Sequence, residues 1–236
     1  MIKDINDHIS YIPCCELPLS GDVGIIKGKK STYLYDVGST VECLDFLYSL
    51  KGRMQLVISH FHADHTWWLT KHKKGDARIL EGDEISVNYE RPAFEKLYIG
   101  KGTEKYLPDG IVLKEPLLIE DETLSGEPLK LGIIPMPSSH SKGSLALSVN
   151  DEYLFMGDST YCKYNKNNET DIECAEYNAG KLKEQIELLK ELPADKCLIS
   201  HDPHFIRPKK VIIRQLEALY SKRKPGENII RIYRQN

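Results

Sequence analysis

Metal-binding side chains are concentrated in one short segment of the chain. Residues 59–65 read Ser-His-Phe-His-Ala-Asp-His, so three histidines and one aspartate fall within six positions. Neutral imidazoles and carboxylates suit zinc and other borderline divalent cations. In a loop, His60 and His62 can converge on one point, and Asp64 and His65 on a neighbouring point. If further ligands join from elsewhere in the chain, the total number of ligands is more than one tetrahedral ion needs. This number indicates two metal ions about 3.5–4 Å apart.

Three further metal-capable side chains flank short apolar segments. His140 lies just before one such segment, whereas Asp158 and His201 each follow one directly. Strand ends along one edge of a sandwich can share a cleft. We therefore expect these three side chains to meet the first cluster.

The elements that must position these residues are short strands and amphipathic helices. Turn signals and apolar runs predict strands at Val23–Lys27, Thr32–Asp36, Gln55–Ser59, Ala77–Leu80, Leu129–Pro135, Leu145–Val149, Tyr153–Met156 and Cys197–Ser200. Helical spacing and caps predict helices at Val41–Leu50, Asp64–His72, Ala179–Leu192 and Pro208–Lys222. The segment Ser86–Lys114 shows no firm period. Two blocks of strands, each followed by helices, favour two packed sheets with helices outside.

The order of the motifs resembles the metallo-β-lactamase-fold superfamily of metallohydrolases. The matching motifs are HxHxDH at 60–65, SSHSKGS at 138–144, FMGDS at 155–159, ISHD at 199–202 and the strand end Tyr35-Asp36-Val37-Gly38. The resemblance implies an α+β fold, an αββα four-layer sandwich in a single domain over residues 1–236. Its core would cover about residues 22–206, with a C-terminal helix and basic tail over 207–236.

The resemblance also implies a role for each ligand. One metal ion would be held by His60, His62 and His140. The second would be held by Asp64, His65 and His201, and Asp158 would bridge both. The expected cofactors are two divalent ions, zinc first, with iron or manganese possible. They would share a bridging hydroxide as the nucleophile, which makes Asp64 and Asp158 catalytic through that hydroxide. The expected reaction is hydrolysis of a small ester, thioester or related substrate.

Three other functions stay open at this point. A phosphodiesterase or nuclease would use the same metal site, and the basic C-terminal end, with nine Lys/Arg against two Asp/Glu from Arg207 onward, favours it slightly. An iron-dependent oxidoreductase could use the same ligand cage. A non-catalytic sensor could bind metal through the same ligands without turning over a substrate. Antibiotic hydrolysis is not expected, because many zinc β-lactamases have a Cys or no bridging ligand where Asp158 stands.

Residues that would contact a substrate carry weaker signals. Trp67 and Trp68 follow the first cluster where relatives often have glycines, and they either wall an apolar pocket or pack in the core. Tyr161 and His204 are further candidates for substrate binding. The adjacent Cys14 and Cys15 are expected to pack rather than to do redox chemistry.

The composition is that of a globular chain. Its 236 residues are 41% hydrophobic and 28% charged, with a net charge of −3. The chain has no run of about 18 apolar residues, so no membrane span is predicted. The first residues do not resemble a secretory signal. Six scattered cysteines without a CxxC pair are typical of reduced thiols, so a cytoplasmic location is expected. The expected partner is a small-molecule substrate. Nucleic acid is possible but not favoured, and the oligomeric state is open.

Overall fold

Two β-sheets carry the fold in the residues that the computed structural model describes, which are 2–71, 88–160, 163–164, 170–171, 176–202 and 204–231. The strands of the first half are β1 (Lys3–Asp4), β2 (Ile9–Ile12), β3 (Cys15–Glu16), β4 (Leu19–Ser20), β5 (Val23–Lys27), β6 (Thr32–Tyr35), β7 (Met54–Val57), β8 (Lys96–Gly100) and β9 (Ile111–Leu113). Within the described ranges, the first sheet has the order β1-β2-β5-β6-β7-β8-β9. Its β6, β7, β8 and β9 run parallel, and its other pairs are antiparallel. Strands β3 and β4 form a separate hairpin.

The second half of the chain builds the other sheet. Its strands are β10 (Leu117–Glu122), β11 (Pro128–Pro135), β12 (Leu145–Val149), β13 (Tyr153–Gly157), β14 (Lys163–Tyr164), β15 (Thr170–Asp171), β16 (Glu176–Asn178), β17 (Lys196–Ile199), β18 (Ile206–Pro208) and β19 (Ile229–Arg231). The second sheet has the order β10-β11-β12-β13-β17-β18 in the described part of the chain. Only β13 and β17 run parallel in it. The pairs β14–β15 and β16–β19 lie outside it.

The helices cover the outer faces of the two sheets. They are α1 (Val41–Ser49), α2 (Ala63–Thr66), α3 (Ala179–Glu191) and α4 (Lys209–Tyr220), and a 3-10 turn at Trp67–Leu69 follows α2. The Thr40 hydroxyl accepts a hydrogen bond from the Cys43 N–H and so caps α1. The Asn178 side chain caps α3 in the same way through the Lys181 N–H. No helix in the described residues is long and apolar enough to cross a membrane.

Three groups of buried apolar residues fill the spaces between these layers. One lies between the two sheets and includes Tyr35 and Phe155. A second lies between α1 and the first sheet, and a third between α3, α4 and the second sheet. The order of layers is therefore helix, sheet, sheet, helix, which confirms the predicted αββα sandwich.

Several predicted elements differ from the observed ones at their ends. The strand predicted to reach Ser59 ends at Val57, because the Ser59 N–H donates 2.7 Å to the Asp36 carboxylate instead of to a neighbouring strand. The helix predicted over Asp64–His72 is the short α2 followed by the 3-10 turn. His72 and the strand predicted at Ala77–Leu80 lie outside the described residues.

Sequence patterns missed the strands at the two ends of the chain. Strands β1 and β2 extend the first sheet before residue 22, and Ile9 and Ile12 are buried there. Past residue 206, α4 buries Ile212 and Leu216 against the second sheet, and β19 pairs with β16. The described segments before residue 22 and after residue 206 are therefore packed into the sandwich.

Candidate metal centre

The ends of three central strands and one loop bring the predicted ligands to a single edge of the sandwich. Strand β7 ends just before His60, and α2 follows directly with Asp64 and His65. Asp158 and His201 follow β13 and β17, which are parallel neighbours, so the two side chains leave the second sheet side by side. His140 lies in the loop before β12. The Leu145 N–H of β12 donates 2.8 Å to the Ser59 carbonyl and ties this loop to the first sheet.

Three histidines form the first donor cluster. The Nε2 atom of His140 lies 3.1 Å from Nε2 of His60 and 2.8 Å from Nδ1 of His62. Burial, together with the charge of His65, lowers the pKa of His60 to about 2. Burial also lowers the pKa of His140 to about 4. At neutral pH these imidazoles are unprotonated, which is the form that binds a metal ion.

Asp64, His65, Asp158 and His201 form the second donor cluster. The Oδ2 atom of Asp64 lies 3.1 Å from Nε2 of His201 and 3.3 Å from Nε2 of His65. Although burial alone would raise it, hydrogen bonds from His201 and His65 hold the pKa of Asp64 well below its usual range. This cluster therefore combines the carboxylates of Asp64 and Asp158 with two imidazoles.

Asp158 stands between the two clusters and is buried. Its Oδ1 atom lies 3.2 Å from Nε2 of His65 in the second cluster. Its Oδ2 atom lies 3.6 Å from Nε2 of His140 and 3.9 Å from Nε2 of His60 in the first cluster. One carboxylate thus faces both groups of nitrogens, which is the placement expected of a bridging ligand.

The donor set fits divalent cations. In the described part of the chain, Oδ1 of Asp158 and Nε2 of His65 are both buried and lie 3.2 Å apart, and neither atom makes a hydrogen bond of good geometry. Burial alone would lower the pKa of His65, but the Asp158 and Asp36 carboxylates raise it well above its usual value. The two carboxylates therefore favour a positive charge beside His65, and a bound cation would supply that charge in place of a proton. The residues that would hold such ions are the seven predicted from the sequence, and the structure brings all of them together.

Asp36 fixes the orientation of His65. The His65 Nδ1 atom lies 2.7 Å from Oδ2 of Asp36, and the hydroxyl of Ser59 donates 2.6 Å to the same oxygen. All three side chains are buried. With Nδ1–H donated to the carboxylate, the lone pair of Nε2 points toward the second cluster. Sequence reasoning placed Asp36 only in a strand-end motif and gave it no role.

Asp22 fixes the backbone at His201 from the other half of the chain. Its Oδ2 accepts from the His201 N–H at 3.0 Å, and its Oδ1 accepts from the Cys14 N–H at 2.9 Å. His201 has a positive φ of 61°, so this contact holds a conformation that L-residues rarely adopt. Sequence reasoning missed Asp22, and no spacing signal links it to His201.

Gly21 leaves room for the His65 ring. A Cβ atom at this position would lie 2.5 Å from Cε1 of His65. The Gly21 N–H also donates 3.0 Å to the Asp64 carbonyl. The segment before β5 can therefore pack directly on α2 only when residue 21 has no side chain.

The two clusters open into a cleft of about 680 Å³. The segment before β5 forms one wall with Tyr11, Cys14 and Cys15, and Phe205 stacks on Tyr11 with ring centroids 4.1 Å apart. Burial beside the Asp22 carboxylate raises the pKa of the Cys14 thiol to about 12, so this thiol stays protonated. Aromatic and thiol side chains therefore line the cleft together with the candidate metal-binding side chains.

The predicted substrate contacts fall in different places. Trp67 and Trp68 pack in the core beneath α1, where the Trp68 indole N–H donates 2.9 Å to the Thr40 carbonyl. Of the two alternatives for these tryptophans, a pocket wall or core packing, the structure shows core packing. Trp67 is not among the residues that line the cleft. His204 is exposed and also stands outside that wall. Tyr161 lies outside the described residues.

Comparisons with known proteins agree with this geometry. A family model described as the metallo-beta-lactamase superfamily matches residues 17–201. An archaeal metallo-beta-lactamase superfamily protein from Sulfolobus tokodaii is 18% identical, with a TM-score of 0.58 over 94% of this chain and 89% of that chain. A chemotaxis sensor whose structure shows a peroxy diiron species is 16% identical, with a TM-score of 0.60 over 96% of both chains. The DIM-1 metallo-beta-lactamase is 12% identical, with a TM-score of 0.59 over 94% of this chain and 96% of that chain. A search of curated proteins found no match.

Proposed function

The chain belongs to the metallo-beta-lactamase superfamily, and we propose that it is a dinuclear metal-dependent hydrolase of a small ester, thioester or related substrate. The observation that supports this proposal best is the position of Asp158. Its two oxygens face two separate donor clusters, at 3.2 Å from His65 and 3.6 Å from His140. A single-ion site would not need a buried carboxylate between two such groups.

The chain's own residues would perform the positioning in this reaction. When bound, two divalent cations would supply a water of lowered pKa as the nucleophile and positive charge for the oxygen that becomes negative in the transition state. Asp158 would fix the spacing of the two ions. Asp36 and Asp22 hold His65 and His201 in the orientation that this arrangement requires. The wall of Tyr11 and Phe205 would exclude water from one side of the substrate.

Zinc is the metal that we propose, with iron as the alternative. The donor set is rich in imidazole and has no thiolate, and such sites accept zinc, iron and manganese. Iron is the alternative because the chemotaxis sensor of the same fold is described with a diiron species. Metal identity is therefore the first quantity to measure. The cytoplasmic location stays a prediction.

The test combines elemental analysis with a substrate panel. The protein is purified after growth without added metal, and metal per chain is counted. Turnover is then measured on p-nitrophenyl acetate, an acyl thioester and bis-nitrophenyl phosphate. We expect two zinc ions per chain and turnover of the ester or the thioester. The variants His62→Ala and Asp158→Ala should lose more than about 100-fold in kcat/KM because each removes a direct ligand, whereas His8→Ala, outside the cleft, should keep full activity.

Each other outcome changes the conclusion in a defined way. Turnover of the phosphodiester alone would replace the proposal with a phosphodiesterase. Iron together with oxygen consumption would replace it with an oxidoreductase, and two metals with no turnover would indicate a sensor. Unchanged activity in both His62→Ala and Asp158→Ala would contradict the site itself.

A further inference from the structure

A second cavity, of about 430 Å³, lies at the strand ends opposite the metal centre. Thr32, the first residue of β6, and Arg53, just before β7, line it. The same two strands lead at their other ends to Asp36 and His60 of the metal centre. The cavity also borders the end of α1, through Phe46 and Leu50. It is therefore separate from the metal site.

The wall of this cavity is strongly cationic. Five of its fifteen lining residues are Lys or Arg, and no Asp or Glu is among them. These cations are Lys27, Lys29, Lys30, Lys51 and Arg53. The chain as a whole carries a net charge of −3, so this concentration of positive charge is local.

Carboxylates outside the wall balance part of this charge. Lys29 pairs with Glu122 at 2.6 Å, and Arg53 Nε lies 2.8 Å from the Glu95 carboxylate. Within the described residues, Lys27 and Lys51 make no ion pair, and both are exposed. At least two ammonium groups are thus available at the rim to bind an anion.

Apolar side chains complete the cavity. Leu124 at the β10–β11 turn is 72% exposed and Ile2 is 46% exposed, and both line it. Half-buried Phe46 and Leu50 form a further apolar surface beneath them. Two large exposed apolar side chains beside unpaired lysines form a surface with both apolar and cationic parts.

We propose that this cavity binds an amphipathic anion, a molecule with a phosphate head group and a short hydrocarbon chain. The head group would lie among the ammonium groups of Lys27 and Lys51 at the rim. The chain would cover Phe46, Leu50 and Leu124. The volume is within the range of small-molecule sites, which is roughly 300–1,000 Å³. This site does not depend on the proposed hydrolase activity.

The test uses octyl phosphate as the probe, below its critical micelle concentration, and calorimetry on the full-length protein with its metals. A double variant, Lys27→Gln with Lys51→Gln, removes two exposed cations that make no ion pair with the described residues. We expect it to weaken binding about tenfold, since two exposed charge contacts contribute up to about this much. A matched control, Lys183→Gln with Lys222→Gln, removes two exposed lysines far from the cavity and should leave binding unchanged.

Comparison probes separate this site from the metal centre and from simple anion binding. Octyl phosphate that bound at the metal centre would bind the double variant as well as the unchanged protein, which would overturn the proposal. Inorganic phosphate that bound as tightly as octyl phosphate would also overturn it, because the apolar surface would then contribute nothing. We expect Leu124→Ser to weaken octyl phosphate binding about threefold, since it removes part of that surface.

Vesicles identify the source of the ligand. Phosphatidylcholine vesicles with and without phosphatidic acid are sedimented with the protein. Binding that needs phosphatidic acid and is lost in the double variant would support a lipid head group as the ligand. Binding of octyl phosphate without vesicle binding would support a free amphiphile.

Discussion

Asp36 gives the sharpest test of how this site is built, because its carboxylate holds the predicted ligand His65 and the neighbouring Ser59 without being a predicted ligand itself. Its carboxylate accepts from the Ser59 N–H at 2.7 Å, from the Ser59 hydroxyl at 2.6 Å and from His65 Nδ1 at 2.7 Å. The variant Asp36→Asn keeps the volume but turns one acceptor into a donor. At least one of these contacts must then be lost, and His65 is no longer held with its Nε2 lone pair toward the second cluster.

The size of the effect follows from these contacts. A hydrogen bond to a charged partner contributes about 1.5–3 kcal/mol. Loss of a group that orients a metal-bound histidine typically weakens metal binding by about 10- to 100-fold, which is about 1.4–2.8 kcal/mol. The two figures agree, so we expect the second metal ion to bind about 10- to 100-fold more weakly. The first ion should be affected less, since its histidines reach Asp36 only indirectly, through the Ser59 hydroxyl that lies 2.9 Å from Nδ1 of His60.

The assay is a competition titration against a chromophoric chelator that resolves both binding events. The control is Asp45→Asn on the exposed face of α1, which should leave both affinities unchanged. If Asp36→Asn does not fold, Ser59→Ala removes the 2.6 Å contact of the hydroxyl to the carboxylate, together with its 2.9 Å contact to Nδ1 of His60. It should weaken the second ion about threefold to tenfold. A folded Asp36→Asn protein that binds the second ion with unchanged affinity would refute the reasoning.

Three further substitutions test other contacts of the fold. In Gly21→Ala the new Cβ would lie 2.5 Å from the His65 ring, so we expect a destabilisation of about 1–3 kcal/mol and weaker binding of the second metal, measured by denaturation and metal titration. Trp67→Phe should lower the melting temperature but leave KM unchanged, because Trp67 packs in the core and not along the cleft. A raised KM would instead indicate that Trp67 contacts the substrate. Burial alone would raise the pKa of Asp121, but hydrogen bonds from the Glu122 N–H and the Tyr33 hydroxyl hold it below its usual value. The carboxylate therefore stabilises the fold above the unfolded pKa of about 3.9 and loses this effect as the pH falls through the lower folded pKa. Urea denaturation should show Asp121→Asn about 1–2 kcal/mol less stable at pH 6, with the difference shrinking below about pH 4.

The sequence indicated the seven side chains that the structure brings together, but it did not indicate the residues that hold them in place. Four of the seven candidate ligands fall within six residues and the other three lie near strand ends, so their types and spacing are visible along the chain. Asp22 and His201 are 179 positions apart and meet only because the two halves pack against each other. Nothing local at Asp22 signals that contact.

The tryptophans show a second limit of sequence patterns. A large aromatic side chain that follows a metal motif is compatible with a pocket wall or with a core, since both are apolar. Whether the tryptophans pack in the core depends on α1, because the Trp68 indole N–H donates to the carbonyl of Thr40, the residue that caps α1. Strand β2 was missed for a related reason, because only the pairing with β5 shows that its isoleucines are buried.

The two proposed sites can be tested separately because they lie at opposite ends of the same strands. Strand β6 begins with Thr32 at the cationic cavity and leads to Asp36 at the metal centre. Strand β7 likewise runs from Arg53 toward His60. Each strand rises about 3.3 Å per residue, so four residues place roughly 13 Å of buried sheet between the two ends. At that distance, with screening by salt, the charges of Lys27 and Lys51 act only weakly on the metal ions. Loss of amphiphile binding in the lysine variant with metal content unchanged would therefore identify the cavity as a site of its own.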